Sequence, residues 1–357
     1  MTDRRSAPLG RAGAGASRPA AGPDVVRGLP GPWLVADIGG TNARFGWVED
    51  GSTEVTRVAT MAAAGHAGPA DAAMVYLQGV AQALGARYRS PRVGAFAVAT
   101  AVGGDRVEFT NSRWAFSRRA AQHDLGLDEL LVLNDFEALA LSLPRLRSSQ
   151  VRPFGAVPVP AAPAAPSALA VIGPGTGLGV AGLVPTRHGW VAVPGEGGHA
   201  SLAASDDFET ALLAAVHRHY AHVSAERLLS GIGLPVLHAA VAHVLGQPAL
   251  PLTAGEIVER GLTRQDAACS RTIDSFCALL GGFAGNVALV LGARGGVYIG
   301  GGIVPRLGER FFESRFRERF EAKGRFQGYL QAIPTALITD TLAALGGAAL
   351  ALEQHGR

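Results

Sequence analysis

The stretch Trp33-Leu-Val-Ala-Asp37-Ile-Gly39-Gly40-Thr41-Asn42-Ala-Arg44-Phe-Gly46-Trp47 decides the fold. It reads as a strand, a tight turn and a second strand. A later stretch repeats the plan: Leu169-Ala-Val-Ile172-Gly173-Pro-Gly175-Thr176-Gly177-Leu-Gly179-Val-Ala-Gly182-Leu-Val184. Glycine in such turns lets a ligand approach the backbone closely. Threonine adds a hydroxyl, and successive N–H groups form an anion-binding nest. Either turn alone also reads as an ordinary glycine-rich hairpin. The pair, with Asp37 in the first, points to a polyphosphate gripped between two related domains.

Other phosphate devices fit less well. A P-loop requires Gly-x-x-x-x-Gly-Lys-Ser/Thr. The chain's single lysine is Lys323, followed by Gly324, which excludes one. Gly177-Leu-Gly179-Val-Ala-Gly182 matches the dinucleotide fingerprint in letters only. Apolar residues run on to Val184 and Pro185, where that motif needs a helix.

The length of 357 residues suggests two domains and a sizeable core. With 48% hydrophobic and 17% charged residues the composition is globular. No apolar run approaches the ~18 residues of a membrane span, so no membrane association is expected. The net charge of +3 owes much to Arg4, Arg5, Arg11, Arg18 and Arg27. Residues 1–30 are Ala/Gly/Pro-rich, lack the apolar stretch of a secretory signal, and read as a disordered extension. Without interleaved aromatics they make a poor nucleic-acid arm, and no nucleic-acid partner is expected. Cys269 and Cys277 share a helical segment eight residues apart, about 12 Å along the axis. That is too far for a disulfide. Free thiols suit the cytoplasm, and no structural zinc is expected.

Periodicity predicts a hairpin over 34–48, strands at 55–59, 93–100, 107–110 and 131–133, and helices over 70–86, 123–130 and 137–143. A Pro/Ala-rich stretch, 151–167, reads as a linker. Beyond the second hairpin, helices are expected over 208–219, 236–245, 254–260 and 269–291. A strand is expected at 295–299, and an arginine-rich helix over 311–322. Asp135 ends a buried apolar strand, where ligands of α/β sheets bind. A carboxylate there can take a proton from an attacking hydroxyl. Asn134-Asp135 equally reads as a helix cap. Asp37 stands where it could face phosphates or a magnesium ion, or simply form the turn. Glu196 and His199 flank two glycines that argue against a helix. Glu226 also reads as a solvated helix carboxylate. Asn111 and Asn134, which can each donate and accept a hydrogen bond, read equally as ligands of a hydroxyl-bearing molecule or as turn and cap asparagines.

Each half thus opens with a glycine hairpin and continues as mixed α/β, which resembles the ASKHA superfamily and its duplicated ribonuclease-H-like fold. The resemblance sharpens with Asp37-Ile-Gly-Gly-Thr-Asn-Ala-Arg44, Phe109-Thr-Asn111-Ser-Arg-Trp114-Ala-Phe116, Leu133-Asn134-Asp135-Phe136, Gly175-Thr-Gly-Leu-Gly179, Pro194-Gly-Glu196-Gly-Gly-His199, Ser224-Ala-Glu226-Arg227, Gly300-Gly-Gly302 and Lys323-Gly-Arg-Phe326. In order and spacing these resemble the hexokinase-related, non-ROK bacterial glucokinases. ROK sugar kinases carry a cysteine-rich zinc motif after their histidine; here Ala200-Ser-Leu-Ala-Ala-Ser-Asp-Asp207 follows His199.

The resemblance implies an actin/hexokinase-like ATPase fold with an interdomain cleft. Residues 31–145 would form the small domain, with about 340–357 packing back on it, and 146–339 the large one. It implies ATP-dependent phosphorylation of glucose at the 6-hydroxyl, with Asp135 as catalytic base. Asn111, Asn134, Glu196, His199 and Glu226 would bind the sugar. ATP would meet Ala36, Asp37, Ile38, Gly39, Gly40, Thr41, Asn42, Gly175, Thr176, Gly177, Gly301 and Gly302. Asp37 would hold Mg²⁺ through water. A homodimer is implied as well. The alternatives are a kinase for another hexose or amino sugar, and a sugar-responsive regulator without turnover.

Overall fold

A computed structural model describes residues 29–109, 114–159 and 167–356. The first hairpin is β1 (Trp33–Ile38) and β2 (Asn42–Val48), extended by β3 (Val55–Ala62). After α1 (Pro69–Leu84) comes β4 (Val93–Val98), parallel to β1. The short pair β5 (Arg106–Glu108) and β6 (Ala115–Ser117) leads into α2 (Arg118–Asp124) and β7 (Glu129–Asn134). The resulting sheet runs β3-β2-β1-β4-β7. Strand β4, between β1 and β7, is buried at every position, hence its unbroken apolar run Val-Gly-Ala-Phe-Ala-Val.

The second sheet repeats this order. Helix α3 (Asp135–Ser142) leads to β8 (Val151–Phe154), followed by β9 (Leu169–Pro174), β10 (Leu178–Thr186) and β11 (Gly189–Gly195). Helices α4 (Asp207–His217), α5 (Leu234–Val244), α6 (Ala254–Leu262) and α7 (Ala267–Leu291) precede β12 (Gly296–Ile299) and β13 (Thr335–Ile338). The order is β11-β10-β9-β12-β13-β8. Its first five strands copy the first sheet: an antiparallel hairpin with an outer strand, then two parallel strands. The duplicated ribonuclease-H-like plan is therefore present in the molecule.

The two sheets are joined by exchanged helices. Helix α3 follows a strand of the first sheet yet packs on β9, β10 and β11 of the second. The C-terminal helix, Ala343–His355, follows β13 yet packs on β1 and β4. The two helices lie against each other so closely that a Cβ on Gly347 would meet Ala138 O at 1.7 Å. One apolar cluster runs through both sheets and both helices, including Val35, Ala97, Ala138, Leu183, Leu345 and Ala349. Polar ties reinforce it: Arg145 pairs with Glu353, and the Gln354 amide exchanges hydrogen bonds with the Trp190 backbone.

Several local expectations are corrected. The 151–167 linker contains β8, which tolerates Pro153 because it lies at the sheet edge. The helix expected at 123–130 runs instead over Arg118–Asp124, capped by Ser117. The helix expected at 311–322 is broken into Glu309–Phe312 and Phe316–Glu321, so that Phe311, Phe316 and Phe320 all enter the core around Phe154. Helix α7 is long and apolar enough to cross a membrane, contrary to the expectation that no run approached that length. Its apolarity serves the core, where Phe276, Leu280 and Ala284 are buried. Cys269 and Cys277 are buried, unpaired thiols whose pKa burial raises to about 11 and about 12. Of the expected 1–30 extension, Leu29 and Pro30 accept hydrogen bonds from the Trp33 indole, and 1–28 lie outside the described residues.

Candidate active site

The carboxyl ends of β1, β4 and β7 lie side by side, since Ile38 pairs with Val98 and Val98 with Asn134. Asp37 sits one residue before the end of β1, opposite Arg44 on β2. That register lets Arg44 Nη1 donate to Asp37 Oδ2 at 3.0 Å. Burial raises the Asp37 pKa, and the guanidinium opposes the rise. The turn beyond closes on itself: Gly39 N–H donates to Asn42 O at 2.9 Å, and Ala63 N–H to Thr41 O at 2.8 Å. Gly40, Thr41 and Asn42 complete it, the last two exposed. Ala36 and Ile38 are wholly buried, and neither lines the cavity between the two halves.

Asp135 is the first residue of α3, and Asn134 is the cap: its Oδ1 accepts from Phe136 N–H at 2.9 Å. Asn134 Nδ2 donates to Thr100 O at 3.1 Å, which ties the ends of β4 and β7 together. Asp135 Oδ1 shares the Phe136 N–H, also at 2.9 Å, and the residue lines the cleft. Its pKa is pushed up to about 6, first by burial and second by the negative charge of Asp37. Hydrogen bonds from backbone and from Asn134 hold it from rising further.

The second turn closes in the same way, with Gly175 N–H donating to Gly177 O at 2.9 Å. Two segments fold over it: from the loop after β12, Ile303 N–H donates to Pro174 O, and from the segment before α5, Gly231 N–H donates to Gly175 O. Gly301 has φ +76°, and a Cβ there would meet Pro174 O at 2.4 Å, so this position requires glycine.

A cavity of about 850 Å³ opens between the two halves. Asp37, Gly39, Arg44 and Asp135 line it from one side, Gly175, Thr176 and Gly302 from the other. Its far end is walled by α6, through Ala254, Val258, Glu259 and Leu262, with Ile303 and Arg306 opposite. Sequence reading missed this wall. The available signal was an apolar stripe at positions 254, 258 and 262, distinct from the buried pair Ile257 and Gly261. A second cavity, about 540 Å³, shares Asp37, Arg44 and Asp135 and continues toward Thr339–Thr341.

Glu196, His199 and Glu226 gather beside the second turn. Gly197–His199 form a single, compact 3₁₀ turn. A Cβ on Gly198 would strike Leu178 O at 2.0 Å. Glu226 Oε2 accepts from Leu178 N–H at 2.8 Å, and His199 Nε2 stands 3.8 Å from Glu226 Oε1. Asn111 lies outside the described residues. Lys323 is bound to Gly282 O and Asn286 Oδ1 against α7, far from a phosphate role.

Among the described residues no three His, Cys, Asp or Glu side chains group as a metal cage. What the site offers is two carboxylates, Asp37 and Asp135, the second with a pKa raised by burial and then by the charge of the first. That set fits a hydrated Mg²⁺ brought in with phosphates, which needs only one or two protein carboxylates.

The glucokinase family matches residues 34–355. A glucokinase of Aromatoleum aromaticum is 48% identical over 325 residues, covering 90% of this chain and 95% of that protein. One of Chromobacterium violaceum is 47% identical over 331 residues, covering 92% of each. The crystal structure of a glucokinase from an Antarctic psychrotroph superposes with a TM-score of 0.81 at 38% identity, over 90% of this chain and 98% of that one. A ROK-family glucokinase from Streptomyces griseus, solved with glucose and AMPPNP, shares the fold alone at 19% identity and a TM-score of 0.57, covering 89% of this chain and 98% of that one. On the family match and the identities to its curated relatives, the chain belongs to the glucokinase family.

Proposed function

We propose that the protein transfers the γ-phosphoryl group of ATP to the 6-hydroxyl of glucose. The observation that carries this is the meeting of two glycine turns and two carboxylates, Asp37 and Asp135, around one cavity. Residues 31–145 with 340–357 act as one lobe and 146–339 as the other. The triphosphate lies between Gly39–Thr41 and Gly175–Gly177, with its base toward α6. Glucose lies beside the second turn, held by Asn111, Asn134, Glu196, His199 and Glu226. Mg²⁺ near Asp37 supplies charge neutralisation on the phosphates.

Asp135 takes the hydroxyl proton as the sugar oxygen attacks. A pKa raised to about 6 leaves the carboxylate ionised at neutral pH and makes it a better base than an ordinary aspartate. Arg44 keeps Asp37 paired and oriented. The turn N–H groups and Thr176 donate to oxygens that gain charge in the transition state. The free buried thiols suit a reducing cytoplasm. The homodimer is tested by light scattering, where a monomer mass would reject it.

A coupled assay with MgATP and a panel of glucose, mannose, fructose and glucosamine tests the function. Glucose should show the highest kcat/KM. Preference for another sugar would move the assignment to that substrate, and no turnover with any would favour a regulator.

A further inference from the structure

Phe136 follows Asp135 on α3, and its N–H donates to both Asn134 Oδ1 and Asp135 Oδ1, at 2.9 Å each. Its half-buried ring leaves the first sheet and lies against the second hairpin. There Gly173 and Gly179 are direct partners in the β9–β10 ladder. A Cβ on Gly173 would lie 2.4 Å from the ring's Cζ, and one on Gly179 2.1 Å from Cδ2 and Cε2. Side chains cannot pack at such distances, so the two absent Cβ atoms form the notch that the ring fills. The turn joining these strands is Gly175–Gly177. One helical turn further on, Leu139 repeats the arrangement: a Cβ on Gly300, at the start of the Gly300–Gly302 loop, would lie 2.9 Å from Leu139 Cδ2.

We propose that Phe136 is a positioning residue, a key seated in the Gly173/Gly179 notch that fixes Asp135 relative to the Gly175–Gly177 turn. This rests on the reading of Asp135 as the base. Strand β7 anchors Asp135 from the first sheet, where Asp37 and the first turn also lie. The ring supplies the second anchor, in the other sheet. In-line transfer requires base, sugar oxygen and phosphorus to be aligned, and a misplacement of about 1 Å costs on the order of 10²-fold. The competing explanation is that these glycines admit ligand. Their absent Cβ atoms point at the ring, however, and neither residue lines the large cavity.

The test is a rescue experiment on the full chain. Gly179→Ala, Phe136→Leu, the double variant and Asp135→Asn are compared for kcat, both KM values and melting temperature. Gly179→Ala should lose on the order of 10²-fold in kcat, with either KM within about threefold of wild type. The double variant, with room restored beside the new methyl, should regain about tenfold or more of that loss. A double variant no faster than Gly179→Ala would overturn the proposal, as would full kcat in Gly179→Ala. If Gly179→Ala does not fold, Phe136→Leu decides: a kcat lowered about tenfold with unchanged KM values supports the key, and a wild-type kcat rejects it. The Asp135→Asn arm separates the two claims. Rescue together with an active Asp135→Asn would discard the base while keeping the packing key; an inactive Asp135→Asn without rescue would do the reverse.

Discussion

The two glycine turns look alike in sequence and do different physical work. In the first, a Cβ on Gly39 would meet nothing closer than Asn42 O at 3.4 Å, so its smallness leaves room facing the cavity. In the second, Gly175 likewise has open space and lines the cavity, but Gly173, Gly177 and Gly179 each stand where a Cβ would collide with protein, either the Phe136 ring or the Glu226 carboxylate. The first turn carries charge, through Asp37 and its cross-strand partner Arg44. The second carries none of its own and receives its carboxylates from neighbours, Asp135 through α3 and Glu226 through the Leu178 N–H. A duplicated fold has thus kept one topology and divided the tasks: one copy for charge, the other for packing and alignment.

The largest expected effect comes from removing the group that both turns serve. Asp135→Asn should lower turnover by ~10²–10⁴-fold, while glucose binding, followed by tryptophan fluorescence, weakens far less. Its stability should move the other way. The native pKa of about 6 lies above the ordinary unfolded value, so the favourable contribution is present only at low pH and is lost as pH rises through 6. The variant should therefore melt above wild type at pH 7.5, with the gap closing below about pH 4. Equal melting at both pH values would show that burial does not penalise the charge.

The next effect breaks the comparison directly. Gly173→Ala should destabilise by about 1–3 kcal/mol through overpacking. Gly39→Ala should change stability by less than about 0.5 kcal/mol yet raise the KM for ATP. Thermal melts and ATP titrations on both variants would settle it, and a reversal of the two patterns would reject the division of tasks. Arg44→Gln should produce a smaller change, a several-fold rise in the KM for MgATP with glucose KM unaltered, because it frees Asp37 without touching the sugar side. An unchanged KM for MgATP would remove Arg44 from the account. Smallest of all, removing residues 1–28 should leave melting temperature and kcat unchanged. Extending the cut through Pro30 should lower the melting temperature, because the Trp33 indole then loses its two carbonyl partners.

The two hairpins and their turns were legible because glycine interspersed among apolar residues marks a buried hairpin strongly; the order of the other strands was not, since it depends on pairings between distant segments. Asp37 and Asp135 stood out as carboxylates at or near the ends of apolar strands, and both line the cavity; the residues alone left Asp135 open between a base and a helix cap. Strand β8 was not legible, since Pro153 and the Pro/Ala-rich sequence beyond it read as linker, and only its edge position makes a proline acceptable. The break between Phe312 and Phe316 was hidden because an arginine-rich helix and two short turns around a phenylalanine nest share one periodicity. The α6 wall was missed because Val258 and Leu262 look like an ordinary amphipathic stripe until the second half places them across from Ile303. The notch that seats Phe136 could not be read at all: glycine for a ligand and glycine for a ring are the same letter.

The central claim is that Asp135, with a pKa raised by burial and by Asp37, accepts the sugar's proton. The most direct measurement is kcat/KM for glucose at saturating MgATP from pH 5 to 8. Wild type should rise along an ascending limb with an apparent pKa near 6, as Asp135 loses its proton, and the residual activity of Asp135→Asn should lack that limb. A wild-type profile flat from pH 5 to 8, or an identical limb in the Asn variant, would contradict the account.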